Sequence, residues 1–197
     1  MSRFIENIKI RDGIILNPDY HIRRFNITRQ ILFPQAPILD LEKWIRIPDS
    51  CKKGIFQCSV TYGEEIENIE FEHYLLTLIK SLKLVIDDDI EYSFKYKNRA
   101  AILDLWDQKG NCDDIIIVKH HKITDSSSCN LAFLSNGNWY TPRHPLLKGT
   151  KREKLLHESL IIESDIDVDD LPGFEKVTLM NAMIELGDCI VDINSVI

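Results

Sequence analysis

Lys95 is the residue of this chain whose surroundings could most directly support covalent chemistry. A lysine amine attacks an aldehyde only in its neutral form, which partial burial or cationic neighbours favour at physiological pH. Lys97 and Arg99 lie close enough along the chain to supply that positive charge. A solvated cationic strand end would have the same composition, so the sequence favours Lys95 as a nucleophile only in combination with other groups of a site. Lys97 is the alternative nucleophile.

Three polar segments follow Lys95 in an order that would assemble a site for an aldehyde cofactor that carries a phosphate. They cover residues 123–130, 141–152 and 181–183. In the middle segment, Gly149 and Thr150 precede a predicted helix, whose first N–H groups and dipole would favour an anion. An arginine such as Arg24 would add a charge complementary to phosphate. Each fragment alone is equally typical of a turn or a surface charge, but the combination favours a binding site.

Together with His21-Ile22-Arg23-Arg24, this ordered series resembles the class IV aminotransferases, the pyridoxal-phosphate (PLP) enzymes of fold type IV. Among them the chain is most similar to the aminodeoxychorismate lyases, and the resemblance extends from about residue 4 to residue 193. It implies a two-lobed α+β fold of the D-amino acid aminotransferase kind, with antiparallel and mixed sheets and flanking helices. It also implies a homodimer that acts on a small amino substrate.

The resemblance assigns roles to individual residues. Lys95, within a Lys-x-x-Asn-Arg motif, is expected to form the Schiff base with PLP and later to move a proton between substrate and cofactor. Asp125 occupies the acidic position of the Ile-Thr-acidic motif, where a carboxylate beside the pyridine nitrogen strengthens the electron sink. The remaining cofactor contacts are expected from a set of residues around the phosphate: Arg24, Gly149, Thr150, Lys151, Asn181 and Ala182.

Two departures from the family pattern concern the first lobe and the substrate. Relatives often have an arginine near Ser59, where it holds a substrate carboxylate, and a serine cannot supply that charge. Arg143 is the candidate substitute. The chain also begins almost at the Phe-x-Glu segment of residues 4–6, so the first lobe is expected to be trimmed.

Composition disfavours several other classes of protein. The net charge of -7 and the pI of about 5.4 disfavour binding to a nucleic-acid backbone. The first residues lack the apolar core of a signal peptide, and no apolar run reaches the ~20 residues of a membrane span, so a cytoplasmic protein is expected. Five cysteines without a Cys-x-x-Cys pair argue against a disulfide framework and against a zinc site. No metal is expected.

Periodicity and turn signals outline the elements that must position these residues. A first lobe, residues 1–86, is expected to contain a hairpin over 4–16, a helix opened by Asn17 as its cap, and a second short helix over 39–47. Ile22, Phe25 and Leu32 should form the inward stripe of the first helix. Antiparallel strands are predicted over residues 54–62, 66–74 and 75–86.

The second half of the chain is expected to form the PLP-binding lobe, residues 95–197, after an interlobe linker over 87–94. Helices are predicted over residues 98–106 and 152–162. Asn136-Gly137 is a strong hairpin signal between two short strands. The predicted strands of this lobe are 114–119, 131–134, 139–141, 177–180 and 189–193.

Three functions stay open on this evidence. The first is a 4-amino-4-deoxychorismate lyase, which eliminates pyruvate to give 4-aminobenzoate. The second is an aminotransferase that acts on branched-chain or D-amino acids with the same cofactor and lysine. The third is a degenerate homologue that binds a metabolite without catalysis, an interpretation favoured by Ser59 and by the short N-terminal segment.

Overall fold

The computed structural model describes residues 2–197, which the contacts between residues group into two compact units. The first unit runs from the N-terminal end to Leu76 and includes Phe94–Asn98, and the second comprises Thr77–Ser93 and Arg99–Ile197. The lobe limits expected at residues 86 and 94 stay a prediction. The grouping differs from them in assigning Thr77–Ser93 to the second unit and Phe94–Asn98, which includes Lys95, to the first.

The first unit contains four strands: β1 (Phe4–Arg11), β2 (Ile14–Ile15), β3 (Ile55–Tyr62) and β4 (Ile66–His73). They form an antiparallel sheet with the order β2-β1-β3-β4. Asp12 and Gly13 form the turn between β1 and β2 with positive φ angles of 51° and 78°, which confirms the predicted hairpin. From Phe4 to Ile8, buried side chains of β1 alternate with partly exposed ones, and Glu6 occupies an inward position between Phe4 and Ile8.

Helix α1 (Pro18–Leu32) begins where Asn17-Pro18 predicted it. Asn17 adopts a left-handed backbone conformation with φ of 54°, and its side chain makes no capping bond to the helix, so the predicted capping role is wrong. A side-chain cap needs an extended backbone at that position. The predicted apolar stripe is also only partly correct, because Phe25 is buried whereas Leu32 is 37% exposed. The other buried side chains of α1 are polar: His21, Asn26, Thr28 and Arg29.

Aromatic packing attaches the segment Phe94–Asn98 to strand β1. The ring of Phe4 lies 5.3 Å from the ring of Tyr96 and 5.8 Å from that of Tyr62. Backbone bonds add to these contacts, since the N–H of Ile5 donates to the carbonyl of Lys95 at 3.0 Å and the N–H of Lys97 donates to Arg3 at 2.8 Å. The chain around Lys95 is therefore held at a fixed register along β1.

The strands of the second unit are β5 (Leu82–Ile86), β6 (Asp114–Lys119), β7 (Lys122–Ser126), β8 (Asn130–Ser135), β9 (Asn138–Pro142), β10 (Ile162–Ser164), β11 (Lys176–Met180) and β12 (Ile190–Asp192). They form a mixed sheet with the order β10-β9-β8-β7-β6-β5, which β11 joins by pairing with β8 and β12. The pairs β5–β6 and β9–β10 are parallel, and the others are antiparallel. Helices α2 (Ala100–Trp106) and α3 (Thr150–His157) complete an α+β arrangement, which confirms the predicted fold class.

Three predicted elements differ from the structure. Residues 39–47 contain a 3-10 turn over Leu41–Trp44 instead of an α-helix. The strand predicted over 75–86 is limited to β5, which pairs in parallel with β6 within the second unit. Helix α3 begins two residues earlier than predicted and ends at His157. Among residues 2–197, no helix has the length and apolar character needed to cross a membrane.

Candidate functional site

A buried carboxylate in β1 organises the candidate residues of the first unit. The side chain of Glu6 is fully buried. The Nε and Nη2 groups of Arg24 donate to its two oxygens at 2.8 and 2.7 Å, and His21 Nδ1 lies 2.7 Å from Oε2. His21 and Arg24 can both reach Glu6 because residues three apart share one face of α1. Arg24, a predicted phosphate contact, is thus held by a carboxylate.

The ionisation of this cluster follows from its contacts. Burial alone would raise the pKa of Glu6, but the charge of Arg24 and the hydrogen bonds of His21 and Arg24 lower it to about 2. Burial lowers the pKa of His21 despite the opposing effect of Glu6, and the positive charges of Arg24 and Lys95 act in the same direction as burial. Glu6 is therefore an anion and His21 a neutral ring that donates Nδ1–H to it.

Lys95 and its alternative, Lys97, differ in their surroundings. Lys95 is half-buried, its backbone is fixed by Ile5, and its charge acts on His21. Lys97 is exposed, and its amine donates to the hydroxyl of Thr61 at 3.2 Å. Lys95 therefore lies near the Glu6 cluster, whereas the amine of Lys97 bonds to the buried Thr61.

In the second unit, the carboxyl of Asp125 lies at the end of β7 and is buried. Asn130 Nδ2 donates to its Oδ1 at 2.7 Å, and the N–H of Leu147 donates to its Oδ2 at 2.9 Å. Burial raises the pKa of Asp125 to about 7, although these hydrogen bonds and the charge of Arg152 oppose the shift. A carboxyl in this state would gain from a nearby cationic N–H group.

Gly149 meets the same network from the start of α3. A Cβ placed on Gly149 would lie 2.0 Å from Oδ1 of Asn130, so the close approach requires glycine. Asn130 Nδ2 also donates to the carbonyl of Leu147 at 2.8 Å, which fixes the amide between Asp125 and the loop before α3. The structure therefore brings Asp125, Asn130 and Gly149 together, two of them predicted contacts of the cofactor.

Helix α3 presents its first turn directly after Gly149, as the phosphate hypothesis requires. Thr150 and Lys151 are both buried at this end of the helix. The amine of Lys151 pairs with Glu185, so one predicted phosphate residue has a carboxylate partner. Arg152 donates to the carbonyl of Pro142 at 2.8 Å and to Glu163 at 2.7 Å, which anchors the helix to the sheet.

The turn that contains Asn181 and Ala182 is attached to the segment after Asp125. Oδ1 of Asn181 accepts N–H bonds from Met183 at 2.8 Å and from Ile184 at 3.1 Å, which shapes the turn. Its Nδ2 lies 3.1 Å from Sγ of Cys129. Ala182 is half-buried in the same turn. The Lys151–Glu185 pair attaches this turn to α3 as well, so Asn181, Ala182 and Lys151 belong to one connected region.

The candidate substrate residues have ordinary partners. Ser59 lies on β3 and donates its hydroxyl to Asn7 Oδ1 at 3.3 Å. Arg143 is exposed, and its Nε lies 3.5 Å from Asp165. Within residues 2–197, no group of three or more His, Cys, Asp or Glu side chains could hold a metal ion. The five cysteines are buried free thiols.

Two residues that carry the site were not assigned roles from the sequence: Glu6 and Glu185. Glu6 did leave a signal, because β1 alternates Phe4, Glu6, Ile8 and Ile10 on one face, and a carboxylate in an inward position needs a buried partner. Glu185 left none, since an acidic residue in a polar turn is ordinarily solvated. Glu185 matters because it pairs with the buried amine of Lys151, and the sequence does not show that the two residues lie close together.

The raised pKa of Asp125 predicts a pH dependence of stability for the protein without ligands. A folded pKa above the ordinary value of 3.8 means that the folding contribution is complete below about pH 4 and is lost as the pH rises to about 7. Asp125→Asn should remove this decline, so urea unfolding of the wild type and of the variant should give free energies that converge or cross between pH 4 and 7. Asp104→Asn, at an exposed position, is the control. Parallel curves for wild type and Asp125→Asn would contradict the shift.

The chain is similar in sequence and in structure to several known proteins. The Amino-transferase class IV family model matches residues 92–189. An uncharacterized protein of Haemophilus influenzae is 36% identical over 93% of this chain and 98% of its own length. A protein from Haemophilus somnus 129pt, whose crystal structure carries a provisional name as a 4-amino-4-deoxychorismate lyase, is 33% identical to this chain. The two structures have a TM-score of 0.89, and the match covers 94% of this chain and 98% of that one.

A more distant structure has the same fold. The PLP-bound form of a hypothetical aminotransferase from Mycobacterium tuberculosis superposes with a TM-score of 0.77 over 99% of this chain and 81% of its own, at 14% identity. Together with the Haemophilus somnus structure, it confirms the fold type expected from the sequence.

Proposed function

Because the chain belongs to the class IV aminotransferase family, we propose that it is a PLP-dependent enzyme and that it acts as a 4-amino-4-deoxychorismate lyase. The reaction would eliminate pyruvate from the substrate and release 4-aminobenzoate. The similarity to the Haemophilus somnus protein supports this reaction over the others of the family. We further propose that the enzyme is a cytoplasmic homodimer that serves folate biosynthesis.

The arrangement of Asp125, Asn130 and Gly149 is the observation that carries the proposal. Asp125 is a buried carboxyl whose charge is poorly compensated, and the protonated ring nitrogen of PLP would supply the missing N–H and positive charge. Gly149 lets the start of α3 lie against Asn130, whose amide bonds to Asp125, because a Cβ at this position would lie 2.0 Å from Oδ1 of Asn130. The carboxyl that PLP would complement is therefore held beside the first turn of the helix that we propose for its phosphate.

The phosphate would be held by groups of the kind that bind phosphate elsewhere. Helix α3 begins at Thr150, so its first N–H groups and its dipole favour a doubly charged anion. We propose that Thr150 and Lys151 contribute there, with the turn of Asn181 and Ala182, and that Arg24 contributes its guanidinium. These assignments follow the family pattern residue by residue.

When bound, PLP supplies an aldehyde that captures an amine and a ring that withdraws electrons from the neighbouring carbon. We propose that Lys95 is the residue whose amine would hold this aldehyde, with loss of water, and that a substrate amine would take its place. The released amine of Lys95 would then accept a proton from the substrate and return it during turnover. Asp125 would keep the ring nitrogen protonated, and Ser59 and Arg143 are the candidates for contact with the substrate.

Absorption spectroscopy and product analysis test the proposal. Purified protein is expected to acquire a visible absorption band with PLP and to release pyruvate and 4-aminobenzoate from 4-amino-4-deoxychorismate. Conversion of bound pyridoxamine phosphate back to the aldehyde form by 2-oxo acids would instead favour a branched-chain or D-amino acid aminotransferase. Protein that stays colourless with excess PLP would favour a non-catalytic homologue.

A further inference from the structure

We propose that Glu6 is a positioning residue that fixes the guanidinium of Arg24 and thereby makes the protein prefer a phosphorylated aldehyde to its unphosphorylated form. The inference rests on the proposed function, because it assigns Arg24 to the cofactor phosphate. It goes beyond that function by giving a role to a residue that does not itself contact the cofactor.

The geometry of the Glu6–Arg24 pair restricts the arginine to one orientation. An arginine side chain has five N–H bonds in one plane. The Nε and Nη2 groups of Arg24 each donate one bond to a different oxygen of Glu6, at 2.8 and 2.7 Å. Two parallel bonds of this kind fix the plane and the direction of the fork. The guanidinium of Arg24 is therefore held in one orientation, as recognition of a phosphate requires.

Burial argues against a purely stabilising role for Glu6. The side chain is fully buried in β1, on the same face as the apolar Phe4 and Ile8. A buried ion pair often stabilises a protein no more than apolar side chains of similar size, because both charges lose their hydration. A carboxylate in this inward position is thus better explained by what it does to Arg24 than by the free energy of folding.

His21 strengthens the hold on Glu6. Its Nδ1 lies 2.7 Å from Oε2, the oxygen that also accepts from Arg24 Nη2. Both carboxylate oxygens are therefore engaged, and rotation of the carboxylate would break at least one bond to Arg24. Lys95 acts electrostatically on His21, so the same cluster lies close to the proposed nucleophile.

Arg29 provides a matched comparison on the same helix. Arg29 is more deeply buried than Arg24, and its guanidinium donates to backbone carbonyls, at 2.7 Å to Glu64 and at 2.7 Å to Pro37. It has the contacts of an arginine that fastens loops to a helix. Arg29→Gln should therefore disturb the first unit without any specific effect on phosphate recognition.

The test compares the dissociation constants of PLP and pyridoxal for full-length protein variants. Glu6→Gln preserves the shape of the side chain but loses its charge, and it should weaken PLP binding by about 10- to 100-fold while changing pyridoxal binding by less than about threefold. A general loosening of the structure would affect both ligands equally. Glu6→Gln combined with Arg24→Gln should bind PLP no more weakly than Arg24→Gln alone, because both substitutions remove the same interaction.

The outcomes separate this inference from the proposed function. Wild-type protein that binds neither aldehyde would overturn both. Wild-type protein that prefers PLP, with an equal preference in Glu6→Gln, would overturn the positioning role alone, as would an equal loss of preference in Arg29→Gln. If Glu6→Gln does not fold, Glu6→Asp keeps the charge but shortens the reach, and it should still lose the preference for PLP.

Discussion

Replacing Lys95 with alanine is expected to lower turnover by about 10³-fold or more. A proton transfer by a positioned side chain contributes roughly 10²- to 10⁴-fold, and loss of the covalent attachment adds to that effect. Borohydride treatment of the wild type with PLP should leave the label on a peptide that contains Lys95, and the variant should carry no label there. Steady-state kinetics and peptide mapping measure the two effects.

Lys97→Ala is the matched control for that experiment. Lys97 is two residues away, and its amine contacts the hydroxyl of Thr61, so its removal should change turnover by no more than a few-fold. Activity that survives in Lys95→Ala and disappears in Lys97→Ala would transfer the nucleophilic role to Lys97. A label on any other lysine would remove both residues from it.

Gly149→Ala is expected to destabilise the protein by about 1–3 kcal/mol and to weaken PLP binding by more than tenfold. The backbone at Gly149 has φ of -72°, which alanine tolerates, so the effect would come from the new Cβ alone. That atom would lie 2.0 Å from Oδ1 of Asn130, a buried group that has little room to move. Displacement of Asn130 would remove its bond to Asp125. Urea unfolding and titration with PLP measure the two losses.

Gly173→Ala is the control for Gly149→Ala, because a Cβ at Gly173 meets nothing within 4 Å among the residues described. It should leave stability and PLP binding nearly unchanged. Asn130→Ala relieves the clash at the cost of its own hydrogen bonds, so the double variant with Gly149→Ala should be more stable than the sum of the two single effects predicts. Strict additivity would show that the two residues do not meet.

The sequence was most informative where one physical rule governs the local structure. The hairpin at Asp12-Gly13 followed from strand alternation and from a turn that needs positive φ angles. The inward face of α1 was misjudged because the prediction considered apolar periodicity, whereas His21 and Arg29 are buried by polar partners on distant segments. Hydrogen bonds between distant residues are not visible in local periodicity.

The candidate site was likewise only partly accessible from the sequence. The motifs identified Asp125 and Gly149. The distance between Gly149 and Asn130, however, depends on how the loop between β9 and α3 folds back onto the start of β8. The charge of Glu6 was visible in the sequence. Its two partners, His21 and Arg24, could be identified only from the position of α1 relative to β1. The sequence therefore indicated which residues could belong to the site, but it did not indicate which of their side chains bond to one another.

Neighbouring residues of β1 make contacts with different parts of the first unit, so a change in the length of the strand would disturb both contacts. Ile5 fastens the backbone of Lys95, and Glu6, the next residue, grips Arg24. A single deletion between Glu6 and the turn at Asp12 and Gly13 would reverse which of these side chains face inward. It would put Ile5 where the carboxylate lies and displace the N–H that bonds to the backbone of Lys95, so the loops around this strand can change in length far more easily than the strand itself.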